Sequence, residues 1–256
     1  MRITAIILCM SAFAMGQESF EVVSIKRSDS TAAGSSIGVA PGGIFKGRNA
    51  TVGMLIGMAY NVREFQVSGG PGWMNTEGYD IEAKGNGPAV TELDLMKMPE
   101  AQRNEFQRQM QARLRALLAD RFQLRVHQAT KEMPIYALTV AKSGLKMTKS
   151  TEGPSPQSGL GMRRNAEGKS EMTGMQATLE NQLVPVLSSV VGRTVMDRTG
   201  LQSTFDFTLT FARDLTDNDG PSIFTALEEQ LGLKLDSQKG PVEMIVIDRV
   251  EHASAN

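Results

Sequence analysis

Four blocks of this sequence recur in the same order further along the chain, the first at an offset of 127 positions, so any fold must accommodate that repetition. Phe45-Lys-Gly47-Arg-Asn49-Ala50-Thr51-Val52 aligns with Met172-Thr-Gly174-Met-Gln176-Ala177-Thr178-Leu179, and both run into apolar segments at helical spacing. Gly78-Tyr79-Asp80-Ile81-Glu82-Ala83 aligns with Thr204-Phe205-Asp206-Phe207-Thr208-Leu209. Leu117 to Val126 then aligns with Ala226 to Leu235, and Pro134 to Val140 with Pro241 to Ile247. Most matches preserve residue type rather than identity. The pattern predicts an internally duplicated α+β protein. Each half reads as strand-helix-strand, then helix-strand-strand, forming a small mixed sheet with helices packed on it.

Local signals fill in that outline. Thr51 and Thr178 stand where a hydroxyl can accept from the free amides of a first helical turn. Leu179, Leu183, Val186, Leu187 and Val190 share one helical face, and Pro185 within it predicts a kink or a late start. Phe106, Met110, Leu114, Leu117 and Leu118 mark the buried stripe of a helix from about Pro99 to Asp120. Gly220-Pro221 is expected to open the last helix, with proline at its first position. Leu124 and Val126 followed by Ile135 to Ala141 predict a hairpin, and Leu233, Leu235 and Val242 to Ile247 its counterpart. Residues 149–169 carry Pro154, Pro156 and four glycines without an apolar period, and are expected to form a mobile linker. Ser28 to Gly43 and Gly85 to Val90 read as surface loops.

The N-terminus reads as an address. Met1-Arg2, the apolar stretch Ile3 to Met15 and the small residues Ala14 and Gly16 have the layout of a secretory signal peptide, expected to span residues 1–16. The apolar stretch falls short of the roughly 20 residues that span a bilayer. Cys9 follows the bulky Leu8, whereas lipidation needs a small residue there, so it reads as an ordinary leader residue. The expected mature chain is exported to the periplasm or the cell exterior, with a first half at 17–148 and a second at 170–256. It holds no cysteine and must rely on packing rather than disulfides. No later segment is apolar enough to span a membrane. The near balance of 27 Lys+Arg against 28 Asp+Glu argues against a nucleic-acid partner.

Few residues offer chemistry. Gly34-Ser35-Ser36-Ile37-Gly38 matches the nucleophile-elbow pattern, but a polar stretch precedes the serine and Pro41-Gly42-Gly43 follows, where strand and helix are required. The possible bases are His127, in an expected strand, and His252, in a polar C-terminal segment that reads as solvated. Ser143-Gly144-Leu145-Lys146 fits Ser-x-x-Lys, but the companion Lys142-Ser143-Gly144 shares its serine, whereas the two motifs must converge from distant positions. Asp214 and Asp217-Asn218-Asp219-Gly220 resemble part of a calcium loop, yet Leu215 and Ala226 stand where ligands are needed. Asp80, Glu82 and Asp206 read as solvated carboxylates on outward strand faces. No catalytic residue, metal ligand or cofactor is assigned.

Trp73, the sole tryptophan, follows Gly69-Gly70-Pro71-Gly72 and reads either as a plug over the core or as an exposed ligand platform. The arginines 103, 108, 113, 115, 121 and 125 are interspersed with Glu100, Glu105 and Asp120, and read as a solvated face in and after the long helix.

These blocks together resemble one family. Phe20-Glu-Val-Val-Ser-Ile-Lys26, Leu55-Ile56-x-x-Ala59-Tyr60, Gly69-Gly70-Pro71-x-Trp73, Tyr79-Asp80-Ile81 and Asp120-Arg121-Phe122-x-Leu124 are similar to motifs of the exported soil-associated proteins, a domain of unknown function with many copies in soil bacteria. Val195-x-Asp197-x-Thr199-Gly200-Leu201, Leu231-Gly232-Leu233-Lys234-Leu235 and Val246-Ile247-Asp248 extend the resemblance over nearly the whole mature chain. A similar domain is appended to some membrane metallopeptidases of the antibiotic-sensor type, which implies a sensing or interaction role outside the cytoplasm. No His-Glu-x-x-His motif exists here, so no protease activity carries over. Asn49-Ala-Thr-Val-x-x-Leu-Ile-x-x-Ala59 also resembles the short N-terminal domains of secretins and TonB-dependent receptors, which are small α+β contact modules. The reading is a non-catalytic envelope module that binds a protein or peptide partner through a sheet edge. Trp73, Tyr79 and Arg121 are its candidate binding residues. The alternative is a secreted hydrolase whose active site follows no recognised pattern.

Overall fold

The computed structural model describes residues 19–29, 34–40, 44–85, 94, 98–151, 158–212 and 220–253. It is a mixed α+β structure of small sheets and helices, as the patterning predicted. Its contacts divide the chain into two units that interleave in sequence. The first comprises residues 1–64, 69–126 and 247–256, and the second residues 65–68 and 127–246.

The first unit is built on an antiparallel four-stranded sheet in the order β1-β5-β3-β2. Its strands are β1 (Val22–Arg27), β2 (Ser36–Ala40), β3 (Ile44–Thr51) and β5 (Gly78–Lys84). In β5 the burial alternates, with Tyr79, Ile81 and Ala83 inward and Asp80, Glu82 and Lys84 outward. Helix α1 (Val52–Tyr60) follows β3 directly, because the Thr51 hydroxyl accepts the Met54 N–H at 3.2 Å and caps it. Asn61, at φ 53°, ends the helix in the left-handed conformation. Helix α2 (Glu100–Arg121) buries Met110, Leu114, Leu117 and Leu118, while Phe106 is only half-buried. Arg113 is also buried, so the arginine run is not uniformly a solvated face. Arg115 lies 5.8 Å from the Tyr60 ring centroid and donates to the Ala59 carbonyl.

The second unit contains an antiparallel sheet ordered β7-β11-β9-β8. Its strands are β7 (Thr148–Lys149), β8 (Gly159–Arg164), β9 (Ser170–Ala177) and β11 (Phe205–Phe211). Strand β8 lies within 149–169, where the absence of an apolar period had suggested a linker; it pairs with β9 from Gly159–Met175 to Arg164–Ser170. Residues 152–157 of that stretch lie outside the described residues. Pro185 does perturb its helix: a π-turn at Leu179–Leu183 precedes helix α3 (Val184–Val191), whose first turn accommodates a residue without an N–H. Thr178 occupies the cap position without a side-chain cap bond; its own N–H is taken by the Gln182 side chain at 2.9 Å. Helix α4 (Ile223–Ala226) starts later than Pro221. Ser222 caps it through Thr225 N–H, while the Pro221 carbonyl is occupied by Ala212 N–H. Met172, Leu179, Leu183, Leu209, Phe211, Leu227 and Leu233 form the core of this unit.

The two expected hairpins are instead two long strands, β6 (Arg125–Val140) and β12 (Leu233–Arg249). They are inner neighbours in a sheet ordered β10-β6-β12-β4, with β4 at Val67–Gly69 and β10 (Val195–Asp197) parallel to β6. Pro134 and Pro241 lie inside these strands without ending them. No described helix is long and apolar enough to cross a membrane.

The two antiparallel sheets share a local irregularity. The β3–β5 register shifts between Gly47 and Ala50, and the β9–β11 register shifts where Phe205 pairs Ala177 and Phe207 pairs Gly174. Within the bulges, Asn49 and Gln176 adopt φ 46° and 49°.

Candidate functional site

In the first unit a short 3-10 turn, Gly72–Asn75, delivers Trp73 beside the start of β5. The glycines leading into it, Gly69 and Gly70, have φ 82° and 78°, which ordinary side chains rarely adopt. Gly70 is also crowded: a Cβ there would lie 2.6 Å from Met74 Sδ. The tryptophan is half-buried, and its exposed face is stacked on His252. The ring centroids are 4.0 Å apart and the planes differ by 24°.

His252 joins the two aromatic candidates. Its Nδ1 lies 3.2 Å from the Tyr79 hydroxyl and 3.3 Å from Glu77 Oε2. The other Glu77 oxygen pairs with Arg27 at 2.8 Å. Glu77 Oε2 itself is buried and makes no hydrogen bond. Tyr79 is buried at 3% exposure and packs edge-on against Phe122, with centroids 5.1 Å apart. Burial raises the Tyr79 pKa, and the Glu77 carboxylate raises it further; Arg27 and the Ala253 backbone N–H, bonded to the hydroxyl, oppose that. The segment after β12 is therefore held by Glu251 N–H on the Phe122 carbonyl at 2.7 Å, the His252 ring, and Ala253 N–H.

The polarity of residues 250–256 had suggested a solvated histidine. The ring is stacked and has polar neighbours, although its side chain keeps 55% of its exposure. Glu77 was likewise not singled out, because nothing in the spacing links it to position 252. Only the return of the chain to the first unit brings them together.

Arg121, the third candidate, lines a different concavity. It ends α2, pairs with Asp120 at 3.2 Å, and borders an open cleft of about 610 Å³. Its lining includes Phe20, Val23 and Leu117 together with Asp120 and Gln123. Val23 belongs to β1, which ends its sheet.

The other motif candidates lie apart from this site. Ser36 begins β2, a terminal strand, and the next described element is another strand, β3. Lys146 Nζ donates to the carbonyls of Glu229 at 2.7 Å and Glu228 at 3.4 Å, so the Ser-x-x-Lys lysine is engaged at a helix end. His127 lies exposed on β6. Asp80 and Asp206 are exposed as expected, but each accepts a backbone N–H. Asp214 to Asp219 lie outside the described residues. No group of three or more metal-ligating side chains occurs among the described residues.

A family model described as a protein of unknown function, DUF3738, matches residues 53–250, and the chain belongs to that family. No curated protein and no solved structure matches it.

Proposed function

We propose that this protein is an exported, non-catalytic binding module of the cell envelope. Its partner is an extended protein segment rich in apolar and acidic side chains. The cleft beside β1 carries the reading. Phe20, Val23 and Leu117 offer an apolar floor, and Arg121 offers a cation at its edge. Strand β1 is terminal in its sheet, its Val22 is 63% exposed, and Lys26 and Arg27 give it a basic end. An extended segment docking there gains main-chain hydrogen bonds along the strand and an ion pair at Arg121. The internal duplication belongs to this proposal as well. Matched strand orders and matched bulges in the two sheets support it.

The test uses the protein expressed in its own host with a photo-crosslinking residue at Val22. Recovery of a chain starting at Gln17 from the envelope or medium is expected, crosslinked to an apolar, acidic peptide. Arg121→Glu is expected to abolish that crosslink. Complete hydrogen-exchange protection of the 22–27 amides in the isolated protein, or a crosslink indifferent to Arg121→Glu, would overturn the reading.

A further inference from the structure

We infer that Trp73, Tyr79 and Glu77 form a built receptor site for an imidazolium group, occupied in this chain by its own His252. Three features of the site match such a ligand. The indole face supplies a stacking platform, already covered by a ring at 4.0 Å. The Tyr79 hydroxyl lies 3.2 Å from Nδ1, within hydrogen-bond reach of the ring. Glu77 Oε2, buried and without a hydrogen bond, lies 3.3 Å from the same nitrogen. A buried carboxylate oxygen left unsatisfied is costly, and a cationic N–H is the group that relieves it.

Nδ1 thus has two polar neighbours, the Tyr79 hydroxyl at 3.2 Å and the Glu77 carboxylate at 3.3 Å, and a ring N–H there supplies the donor that Glu77 Oε2 lacks. The charged groups around the ring are Glu77 from the turn before β5 and Arg27 from β1, which holds the other Glu77 oxygen. On the ring's own segment, Arg249 and Glu251 pair with each other. Stack, hydroxyl and carboxylate together hold the ring, and with it the C-terminal segment, on the first unit. This inference does not depend on the cleft at Arg121.

The sole tryptophan makes the site directly readable, since an imidazolium stacked on indole quenches its emission. In full-length His252→Gly, added imidazole is expected to quench Trp73 saturably, more tightly at pH 5.5 than at pH 8. Glu77→Gln in that background is expected to erase the pH difference. Wild type, with its site filled, is expected to show only linear, collisional quenching. A linear response in His252→Gly equal to wild type would overturn the inference. Should that variant fold poorly, wild type and His252→Gln provide the second arm. Wild-type Trp73 emission is expected to be quenched relative to His252→Gln, because the stacked ring is lost in the variant. Equal emission from the two proteins would equally overturn it.

Discussion

The carboxylate of Asp80 accepts the backbone N–H of Asn49 at 2.9 Å, across the bulge where β3 and β5 lose register. Asp206 does the same for Gln176 at 2.7 Å in the second unit. Each acidic residue satisfies an amide that the bulge has removed from the ladder, and each held residue sits at positive φ. Asn49 tolerates that conformation better than a residue with an apolar branched side chain. Asn49→Val is therefore expected to destabilise the protein by about 1–2 kcal/mol, and Asn49→Gly by only a few tenths. Urea unfolding of the two variants checks this; equal losses would mean that φ is not what the site selects.

Asp206 carries a pH signature. The Gln176 N–H, foremost among its contacts, holds its pKa below the ordinary carboxylate value. A carboxylate depressed in the folded state contributes stability that is present above its unfolded pKa. That contribution is lost as pH falls through the folded value. Wild type and Asp206→Asn should thus differ most at neutral pH and converge in strong acid. Midpoint denaturant concentrations measured from pH 7 down to pH 2 test the sign; a gap that widens in acid would refute it.

Two glycines, each beside a register shift, should behave differently. A Cβ on Gly174 would stand 2.4 Å from the Phe207 ring, which is packed in the core of its unit. A Cβ on Gly47 would come within 3.0 Å of the Ala50 methyl, with Ile81 and Ile37 at ordinary contact distances of 3.5 and 3.8 Å. Overpacking of a filled core costs about 1–3 kcal/mol, so Gly174→Ala should fall in that range and Gly47→Ala well below it. Thermal melts of both variants make the comparison.

Legibility in the sequence followed the range of the interactions. Alternation in Gly78 to Lys84 and the apolar spacing from Met110 to Leu118 are set by neighbours a few residues away, and both elements formed as read. Gly159 to Arg164 has no apolar period, because that edge strand buries little and owes its place to pairing with β9. The hairpins failed for a related reason: Pro134, Gly240 and Pro241 are local turn signals, overridden by the sheet containing β6 and β12. At the site, Trp73 and Tyr79 stood out by type and motif, yet the ring between them lies more than 170 positions away. No local rule encodes a contact of that span.

The turn at Ser143 also distinguishes structural from chemical readings. Gly232, at φ 67°, ends the π-turn Leu227–Leu231, and a Cβ there would lie 1.9 Å from the Gly144 carbonyl oxygen. Lys146 N–H bonds the Leu231 carbonyl at 2.9 Å, while its ammonium takes the carbonyls of Glu228 and Glu229. The serine and lysine thus belong to a helix-end clamp. Gly232→Ala should be the most damaging change, about 2 kcal/mol or more, since strain and backbone collision add. Lys146→Met should cost about 0.5–1 kcal/mol through the lost end contacts, and Ser143→Ala less than about 0.5 kcal/mol. Guanidinium unfolding of the three variants ranks them, and a Ser143→Ala loss exceeding that of Lys146→Met would show that the serine does more than occupy the turn.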